Sequence, residues 1–357
     1  MIVWKPTSRL PIGLFLEERS ATLVQLAGRP GDYEIHALAQ GELPHDETVP
    51  TEVQDEARAA ALRKLIGDHH FKGREVVSCL GARELFVQNV RLPQLPPEEV
   101  RKVVHWEAEE RLPYPAAEGE IRYLTAGEVR QDANVKQEVI LLACHRGVVE
   151  RHVRVLEGAG LAPVGIDVEP CAVLRCLRAV PRASGGGSRV AYLNLGERAT
   201  TALFAEGDRV LFLKYVATGS AHMDQAVARH LDMNLAEAAR MRGAVSAAAE
   251  LDAEDDLHRS VIDAIRGPLE SLASEVELCL RYYKITFRGK PLERIVCTGN
   301  DASPWLSEFL ADRLSTPCGI GNPFEALRHW PPSAAALDRP WRWTTAMGLS
   351  MKRQPGA

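Results

Sequence analysis

A hairpin pattern that occurs twice, about half a chain apart, constrains the fold of this chain more than any other feature. In residues 12–26 and again in residues 192–204, a short apolar strand enters a polar turn that contains Glu-Arg. A strand of small, β-branched and apolar residues follows that turn in both copies. A second turn signal comes after each copy, at residues 28–31 and 206–208. A supersecondary unit used twice predicts two related lobes.

The composition is that of a folded soluble protein. A chain of 357 residues is long enough for about two to three domains, and 46% apolar with 25% charged residues is ordinary for such a protein. The net charge of −5 and the absence of a basic tract give no support for a nucleic-acid-binding protein. The longest apolar stretches, such as residues 139–144, are strand-sized, whereas a membrane-spanning helix needs ~20 residues.

The cysteines indicate a reducing compartment. There are seven, and none forms a Cys-x-x-Cys pair. Cys79, Cys144 and Cys297 each lie in an apolar, strand-like run, where cysteine behaves as a small hydrophobic residue. His69 and His70 form a polar pair before a turn, and no set of ligand-type residues has metal-site spacing. We therefore expect a cytoplasmic protein without a metal site.

Turn and linker signals predict the domain organisation. The segment 181–188, rich in Gly and Ser, reads as a flexible linker that divides the chain almost evenly. Residues 75–160 combine strands with a proline-initiated helix and a second helix, which predicts a compact α+β module inserted in the first half. The chain before residue 75 and the segment 161–180 then form one lobe, and residues 189–357 form the other.

Several short segments, taken in order, resemble one bacterial family. They are spread over nearly the whole chain and comprise residues 92–99, 104–115, 136–139, 157–170, 293–299 and 321–324. In this order they resemble the type IV pilus assembly protein PilM family. That family is a branch of the actin-like ATPase fold and is related to the cell-division protein FtsA.

The resemblance implies an α/β fold of the actin-like (ribonuclease H-like) type, with two lobes and an inserted small α+β (SHS2-like) module called 1C. Residues 1–74 and 161–180 would form lobe 1A, residues 75–160 the 1C module, and residues 189–357 lobe 2, consisting of 2A with 2B at roughly 217–290. The family lies on the cytoplasmic face of the inner membrane, as a platform for a pilus or a similar secretion machine. There it holds the N-terminal cytoplasmic tail of a bitopic partner, PilN, in a groove between 1A and 1C. Motor components of the pilus or secretion machine are further candidate partners.

Trp106, Leu112 and Tyr114 are the candidate residues for lining this groove. For Trp106 the alternative that we favour from the sequence is a place in the core of the module.

In the actin-like fold, two hairpin turns donate backbone N–H groups to the phosphates of a nucleotide, and an Asp in each orients Mg²⁺ and water. Family members typically carry Asp-x-Gly in both turns. The resemblance places Phe15 where the first Asp would be and Glu17 where the Gly would be. Glu17 and Glu18 also add two negative charges beside the expected phosphates. Like charges ~4 Å apart repel by roughly 4 kcal/mol at an effective dielectric constant near 20.

The second turn and the adenosine side are partly retained. Asn194 replaces the Asp, Arg242 stands where a Lys is usual, and Asn300 replaces the second Gly of the adenosine turn. The resemblance gives a degenerate nucleotide cleft of seven residues, Asn194, Gly196, Thr200, Thr201, Glu237, Gly299 and Asn300. The simpler interpretation, that Gly196, Thr200 and Gly299 serve hairpin geometry, is favoured. We predict a pseudo-ATPase with no catalytic residues and disfavour ATP with Mg²⁺ as a cofactor, while weak nucleotide binding without catalysis stays open as an alternative.

Other catalytic interpretations have little support. Ser78 and Ser220 lack the Gly-x-Ser-x-Gly surroundings of a nucleophile elbow. Asp167 and Glu169 flank a strand end as paired acids would, but Pro170 favours the start of a helix. Two alternatives to a scaffold stay open: an active nucleotide-dependent ATPase or kinase of the same fold, and a cell-division protein similar to FtsA.

Overall fold

The computed structural model describes residues 9–46, 48–131, 134–180, 188–248, 251–252, 254–287, 291–328 and 338–352. The chain divides into two compact units. The first comprises Met1–Glu84, Arg146–Ala183 and Asn322–Ala357, and the second comprises Leu85–His145 and Ser184–Gly321. The predicted linker at 181–188 lies, except for its last residue, outside the described residues.

The strands of the described residues are, in chain order, β1 (Arg9–Leu16), β2 (Ser20–Arg29), β3 (Asp32–Glu42), β4 (Glu75–Leu80), β5 (Phe86–Pro93), β6 (Gly119–Gln131), β7 (Asn134–His145), β8 (Ala162–Val168), β9 (Arg189–Leu195), β10 (Thr200–Glu206), β11 (Arg209–Val216), β12 (Arg294–Thr298) and β13 (Cys318–Ile320). The α-helices are α1 (Thr51–Gly67), α2 (Pro97–Arg111), α3 (Arg146–Gly158), α4 (Glu169–Arg178), α5 (Ser220–His230), α6 (Leu235–Ala247), α7 (Asp256–Thr286), α8 (Pro304–Leu314) and α9 (Thr344–Ser350).

The first unit is built on a five-stranded sheet with the order β3-β2-β1-β4-β8. β1, β2 and β3 are antiparallel, and β4 and β8 continue parallel to β1. Successive side chains of β1 and β2 point to opposite faces of the sheet, as in any β-strand, and so they belong to two separate cores. Leu14 and Leu23 pack with residues of α1 and α3 on one face, and Phe15 and Val24 pack with residues of α4 and α9 on the other.

The second unit repeats the same plan. Its five-stranded sheet has the order β11-β10-β9-β12-β13, with β9 to β11 antiparallel and β12 and β13 parallel to β9. The two hairpins seen in the sequence are β1–β2 and β9–β10, and each occupies the same place in its sheet. The predicted repeat of two related lobes is therefore confirmed.

The inserted module is a three-stranded antiparallel sheet, β5-β7-β6, with α2 packed on it. The structure corrects its boundaries, which we predicted at residues 75 and 160. β4 pairs between β1 and β8, and α3 contributes Val155 and Leu156 to the first unit's core, so the module consists of Leu85–His145. β4 was misassigned because only a short turn separates it from β5, and sequence proximity does not reveal that it pairs with β1 and β8.

The end of the chain also differs from the prediction that residues 189–357 form one lobe. α9 packs in the first unit, so closely that a Cβ on Gly13 of β1 would lie 2.0 Å from the carbonyl oxygen of Ala346. A Cβ on Gly348 would lie 1.9 Å from the carbonyl oxygen of Ala172 in α4. α9 therefore needs glycine at both contacts, which a reading of the periodicity alone does not reveal. The helices α5 to α7 fall within 217–290, the range predicted for 2B.

Candidate functional site

The first hairpin turn has no carboxylate where an actin-like site needs one. Phe15 is only 9% exposed and lies in the core with Val24, Phe324 and Met347. An aspartate at this position would be surrounded by apolar side chains, which is costly for a charged group. The apolar surroundings of position 15 therefore favour Phe and disfavour Asp.

The backbone of the same turn is held from the side of α1. Arg58 donates to the carbonyl oxygen of Glu18 at 2.5 Å and to that of Glu17 at 2.8 Å. The N–H of Glu17 donates to the carbonyl oxygen of Ser20 at 2.9 Å. Burial lowers the pKa of Arg58, which is nevertheless far too basic to lose its proton near neutrality. The carbonyl oxygens of Glu17 and Glu18 therefore have hydrogen-bond donors within the protein.

The two acidic side chains of this turn have local partners. Glu18 contacts Arg83 at 2.8 Å, and His45 lies 3.6 Å from its other carboxylate oxygen. Glu17 accepts a hydrogen bond from the hydroxyl of Ser20 at 3.2 Å. The sequence argument from two uncompensated negative charges is therefore too strong, because a neighbouring cation offsets one of them. The larger obstacle to Mg²⁺ with a phosphate is Phe15, because it replaces the carboxylate that would orient the metal.

The second hairpin turn caps a helix. The carbonyl oxygens of Gly196 and Glu197 accept hydrogen bonds from the N–H groups of Ser220 and Ala221, at 3.1 and 2.9 Å, where α5 begins. A Cβ on Gly219 would lie 2.5 Å from the carbonyl oxygen of Gly196, so turn and helix are in direct contact. The first N–H groups of a helix lack partners within it, and here the turn supplies them.

The two threonines of this hairpin are buried. Thr200 donates its hydroxyl proton to the carbonyl oxygen of Thr218 at 2.8 Å and is 0% exposed, while Thr201 is 3% exposed. This role of Thr200 agrees with the interpretation that it serves the geometry of the hairpin.

The turn after β12, residues 299–301, which the resemblance assigns to the adenosine side, is packed against the same hairpin. Gly299 has a φ of 96°, and a Cβ there would lie 2.5 Å from both the side-chain oxygen of Asn194 and the carbonyl oxygen of Leu195. Asn194 itself is buried and pairs in register with Thr201 and Thr298. Asn194, Gly196, Thr200, Thr201 and Gly299 are therefore brought together, with Asn300 half-buried next to them in the chain.

Arg242 is the centre of a buried ion pair that the sequence did not indicate. Its Nε lies 2.5 Å from Asp224 on α5, and its Nη1 lies 3.0 Å from Asp301 in the adenosine-side turn. Nη1 also donates to the hydroxyl of Ser246 at 3.4 Å. Burial alone would lower the pKa of Arg242, but the two carboxylates raise it above its ordinary value. Glu237, in contrast, is exposed in the first turn of α6.

The two acids at the end of β8, Asp167 in the strand and Glu169 directly after it, are not a free pair. Asp167 contacts Arg175 at 2.8 Å and Lys352 at 3.2 Å. Glu169 is the first residue of α4, which confirms the expected helix start. Among the described residues, no group of three or more His, Cys, Asp or Glu is placed to hold a metal ion. No helix in those residues is both long enough and apolar enough to cross a membrane.

Comparison with known proteins identifies the family. The sequence model of the family described as type IV pilus assembly protein PilM matches residues 13–354. The chain belongs to this family.

Solved structures agree on the fold of this PilM-family chain. It is similar to a chain of a structure described as the PilM-PilN type IV pilus biogenesis complex, with a TM-score of 0.77 and 22% identity over 96% of this chain and 99% of that one. It is also similar to the ethanolamine utilization protein EutJ from Carboxydothermus hydrogenoformans, with a TM-score of 0.55 and 14% identity over 98% and 92% of the two chains. The predicted family and the predicted actin-like α/β fold are confirmed.

The three residues suggested for a partner groove of this PilM-family chain do not share one face. Trp106 is 64% exposed, which contradicts the interpretation that it lies in the core of the module. Val104 and Ala108 form the buried stripe of α2, and Trp106 lies two positions from each, on the opposite side. Leu112 continues the buried stripe and packs against the module core.

Tyr114 follows α2 and lies edge-on to His145, with ring centroids 5.3 Å apart. Gly119 provides the space for this ring, because a Cβ there would lie 3.2 Å from it. Burial raises the pKa of Tyr114. Leu112 and Tyr114 are thus anchored to the module, and only Trp106 is presented on its outer surface.

Proposed function

We propose that this chain is a non-catalytic scaffold of a type IV pilus or a related secretion platform and binds the N-terminal cytoplasmic tail of a PilN-like bitopic membrane protein. Membership of the PilM family, over residues 13–354, carries this proposal. A relative with the same fold is described as part of a PilM-PilN complex. The chain would then be cytoplasmic and would reach the inner membrane through its partner.

The absence of ATPase activity is part of the proposal, and three features support it. The position of the first metal-orienting Asp is occupied by the core residue Phe15. The neutral Asn194 stands where the second Asp would be, and Glu17 adds a carboxylate at the first turn. These residues do not fit Mg²⁺ with a triphosphate, because Phe15 stands where a carboxylate would orient the metal.

We propose that Tyr114 contributes to the partner site from the module. A half-buried aromatic ring held by His145 and by the space at Gly119 is rigid, and rigid aromatic side chains bind peptides at low entropic cost. Leu112 supports this segment from the core side. Trp106, on the outer face of α2, stays a candidate that the same experiment tests.

The test is a fluorescence anisotropy titration of the full chain with a labelled peptide of the partner's N-terminal cytoplasmic tail. We expect micromolar binding, and an absence of binding at high micromolar concentration would contradict the proposal. Tyr114→Ala should weaken binding by about tenfold or more, the loss typical of a truncated aromatic anchor.

Tyr114→Phe is the matched control, since it keeps the ring and should bind as the wild type does. Thermal unfolding of both variants separates loss of binding from loss of fold. Trp106→Ala shows whether the outer face of α2 takes part.

A further inference from the structure

Two irregularities in the first sheet flank the same residues of β2. In β1 the register shifts between Arg9 and Ile12, which are opposite Ala27 and Gln25. In β3 it shifts where Gln25 pairs with Ala37 and Leu26 pairs with Ile35, so that His36 is the extra residue of a β-bulge. Bulges re-aim side chains and are over-represented next to binding and active sites. Two bulges on either side of residues 25–27 of β2 indicate a specialised local structure at this end of the sheet.

Gln25 fixes the loop before β4 at this place. Its side chain is almost fully buried and donates to the carbonyl oxygens of Leu10 at 3.2 Å and Lys72 at 2.7 Å. It also accepts the N–H of Lys72 at 2.9 Å. A buried amide is tolerated only when it is hydrogen-bonded in this way. Leu10 adjoins Arg9, and Ala37, the strand partner of Gln25 on β3, adjoins His36. Arg9, His36 and Lys72 therefore lie around Gln25.

The charges around His36 are cationic. Burial lowers the pKa of His36 first, Arg9, Lys72 and His70 lower it further, and a hydrogen bond with the backbone of His70 opposes them. Arg9, His70 and Lys72 are exposed. The Nε2 atom of His36 is buried and has no hydrogen-bond partner among the described residues. One carboxylate lies on the same row of the sheet, since Glu34 pairs with Ala27, which pairs with Arg9.

We propose that Arg9, His36, His70 and Lys72 form a binding site for a phosphate group. The guanidinium of Arg9 and the ammonium of Lys72 are strong hydrogen-bond donors for phosphate oxygens. The Nε2 atom of His36 supplies a further donor once the ring is protonated, which a bound anion favours. The hydrogen bonds of Gln25 hold the backbone of Lys72 in place beforehand, so that binding orders little of the chain. The phosphate group is that of a small soluble molecule or of a phospholipid headgroup.

The first experiment is an NMR titration of the histidine-labelled full chain with inorganic phosphate at constant ionic strength. His36→Gln assigns the signal of His36. We expect a saturable shift of the His36 and His70 signals, and acetate at equal ionic strength should not reproduce it. Arg9→Ala and Lys72→Ala should each weaken binding by about tenfold, the loss of one charge-assisted hydrogen bond.

Lys64→Ala is the matched control, because it removes an exposed lysine of α1 in the same unit and should leave binding unchanged. Glu34→Gln should strengthen binding, since it removes the one carboxylate on that row. A titration without saturation, or equal losses in Lys64→Ala and Lys72→Ala, would overturn the site.

A second experiment identifies the source of the phosphate group, by sedimentation with vesicles of phosphatidylglycerol or phosphatidylcholine. Binding to the anionic vesicles that is lost in Arg9→Ala and Lys72→Ala supports the site and assigns a headgroup. Phosphate binding without vesicle binding supports the site and assigns a soluble ligand. Vesicle binding that persists in both variants, together with no response to phosphate, overturns the proposal.

Discussion

Arg242 places a guanidinium between two carboxylates in a part of the second unit that water hardly reaches. Asp224 is 4% exposed and Arg242 is 6% exposed. The network joins α5, α6 and the turn after β12. We infer that Arg242 holds these elements together without a ligand.

Removing the guanidinium should be strongly destabilising. In Arg242→Met two carboxylates would stay close together without their cation, and breaking a buried ion pair in this way costs about 3–5 kcal/mol. Urea denaturation measures the free energy of unfolding. Asp301→Asn, which keeps a hydrogen-bond acceptor, should cost less, and a loss below about 1 kcal/mol in Arg242→Met would refute the role given to this residue.

His152 makes the stability of the first unit depend on pH. Its Nε2 lies 3.0 Å from the hydroxyl of Ser78, which donates to the carbonyl oxygen of Leu14. Burial, with a smaller contribution from Arg58, lowers the pKa of His152 from 6.5 to about 4. Between these values the unfolded chain binds a proton that the folded chain does not bind.

Stability should therefore be complete above pH 6.5 and should fall as the pH drops from there toward 4, by up to roughly 3 kcal/mol. Urea denaturation at a series of pH values measures this loss. In His152→Gln, which can still donate to Ser78, the part of the pH dependence due to this histidine should vanish. An identical pH dependence in both proteins would show that His152 does not cause it.

At the scale of elements, the module is attached to α7 by a buried polar contact. Glu138 on β7 is 0% exposed, accepts a hydrogen bond from Arg91 at 3.0 Å, and accepts another from the hydroxyl of Tyr282 on α7. Arg91 also donates to Thr286 at 3.1 Å, and Asn89 donates to the carbonyl oxygen of Leu213 on β11 at 2.9 Å. The module therefore belongs to one compact unit with β9 to β13.

Replacing Glu138 should loosen this contact. We expect Glu138→Ala to destabilise the second unit by about 3 kcal/mol, at the low end for a broken buried pair because Arg91 is one-third exposed. Hydrogen exchange should become faster in β5, β7 and the end of α7. Glu109→Ala, on the exposed face of α2, is the control and should change neither quantity, whereas equal effects of the two variants would argue against the contact.

Local patterns predicted the hairpins, α2 and the family, because each is encoded within a few consecutive residues. The boundaries of the module were wrong because β4 and β5 follow each other closely in the chain, and only strand pairing shows that β4 belongs to the sheet of β1 and β8. The exposure of Trp106 was available from the spacing of Val100, Val104 and Ala108, which the prediction did not use. The partners of Arg242 could not be predicted, since Asp224 and Asp301 lie 18 and 59 residues away.

At the scale of the whole molecule, the two five-stranded sheets have the same strand order but differ at the turns of their first hairpins. Both hairpins keep their place in the sheet, but the first turn is closed by Arg58 and the second caps α5. The fold of an ATPase is retained while the groups around the expected phosphates are used for packing. On this account the chain works by binding a protein partner.

Isothermal titration calorimetry of the full chain with ATP and Mg²⁺ tests this account most directly. A nucleotide-binding protein of the same fold, measured under the same conditions, is the positive control. We predict no saturable binding up to millimolar ATP. A dissociation constant in the micromolar range would contradict the account.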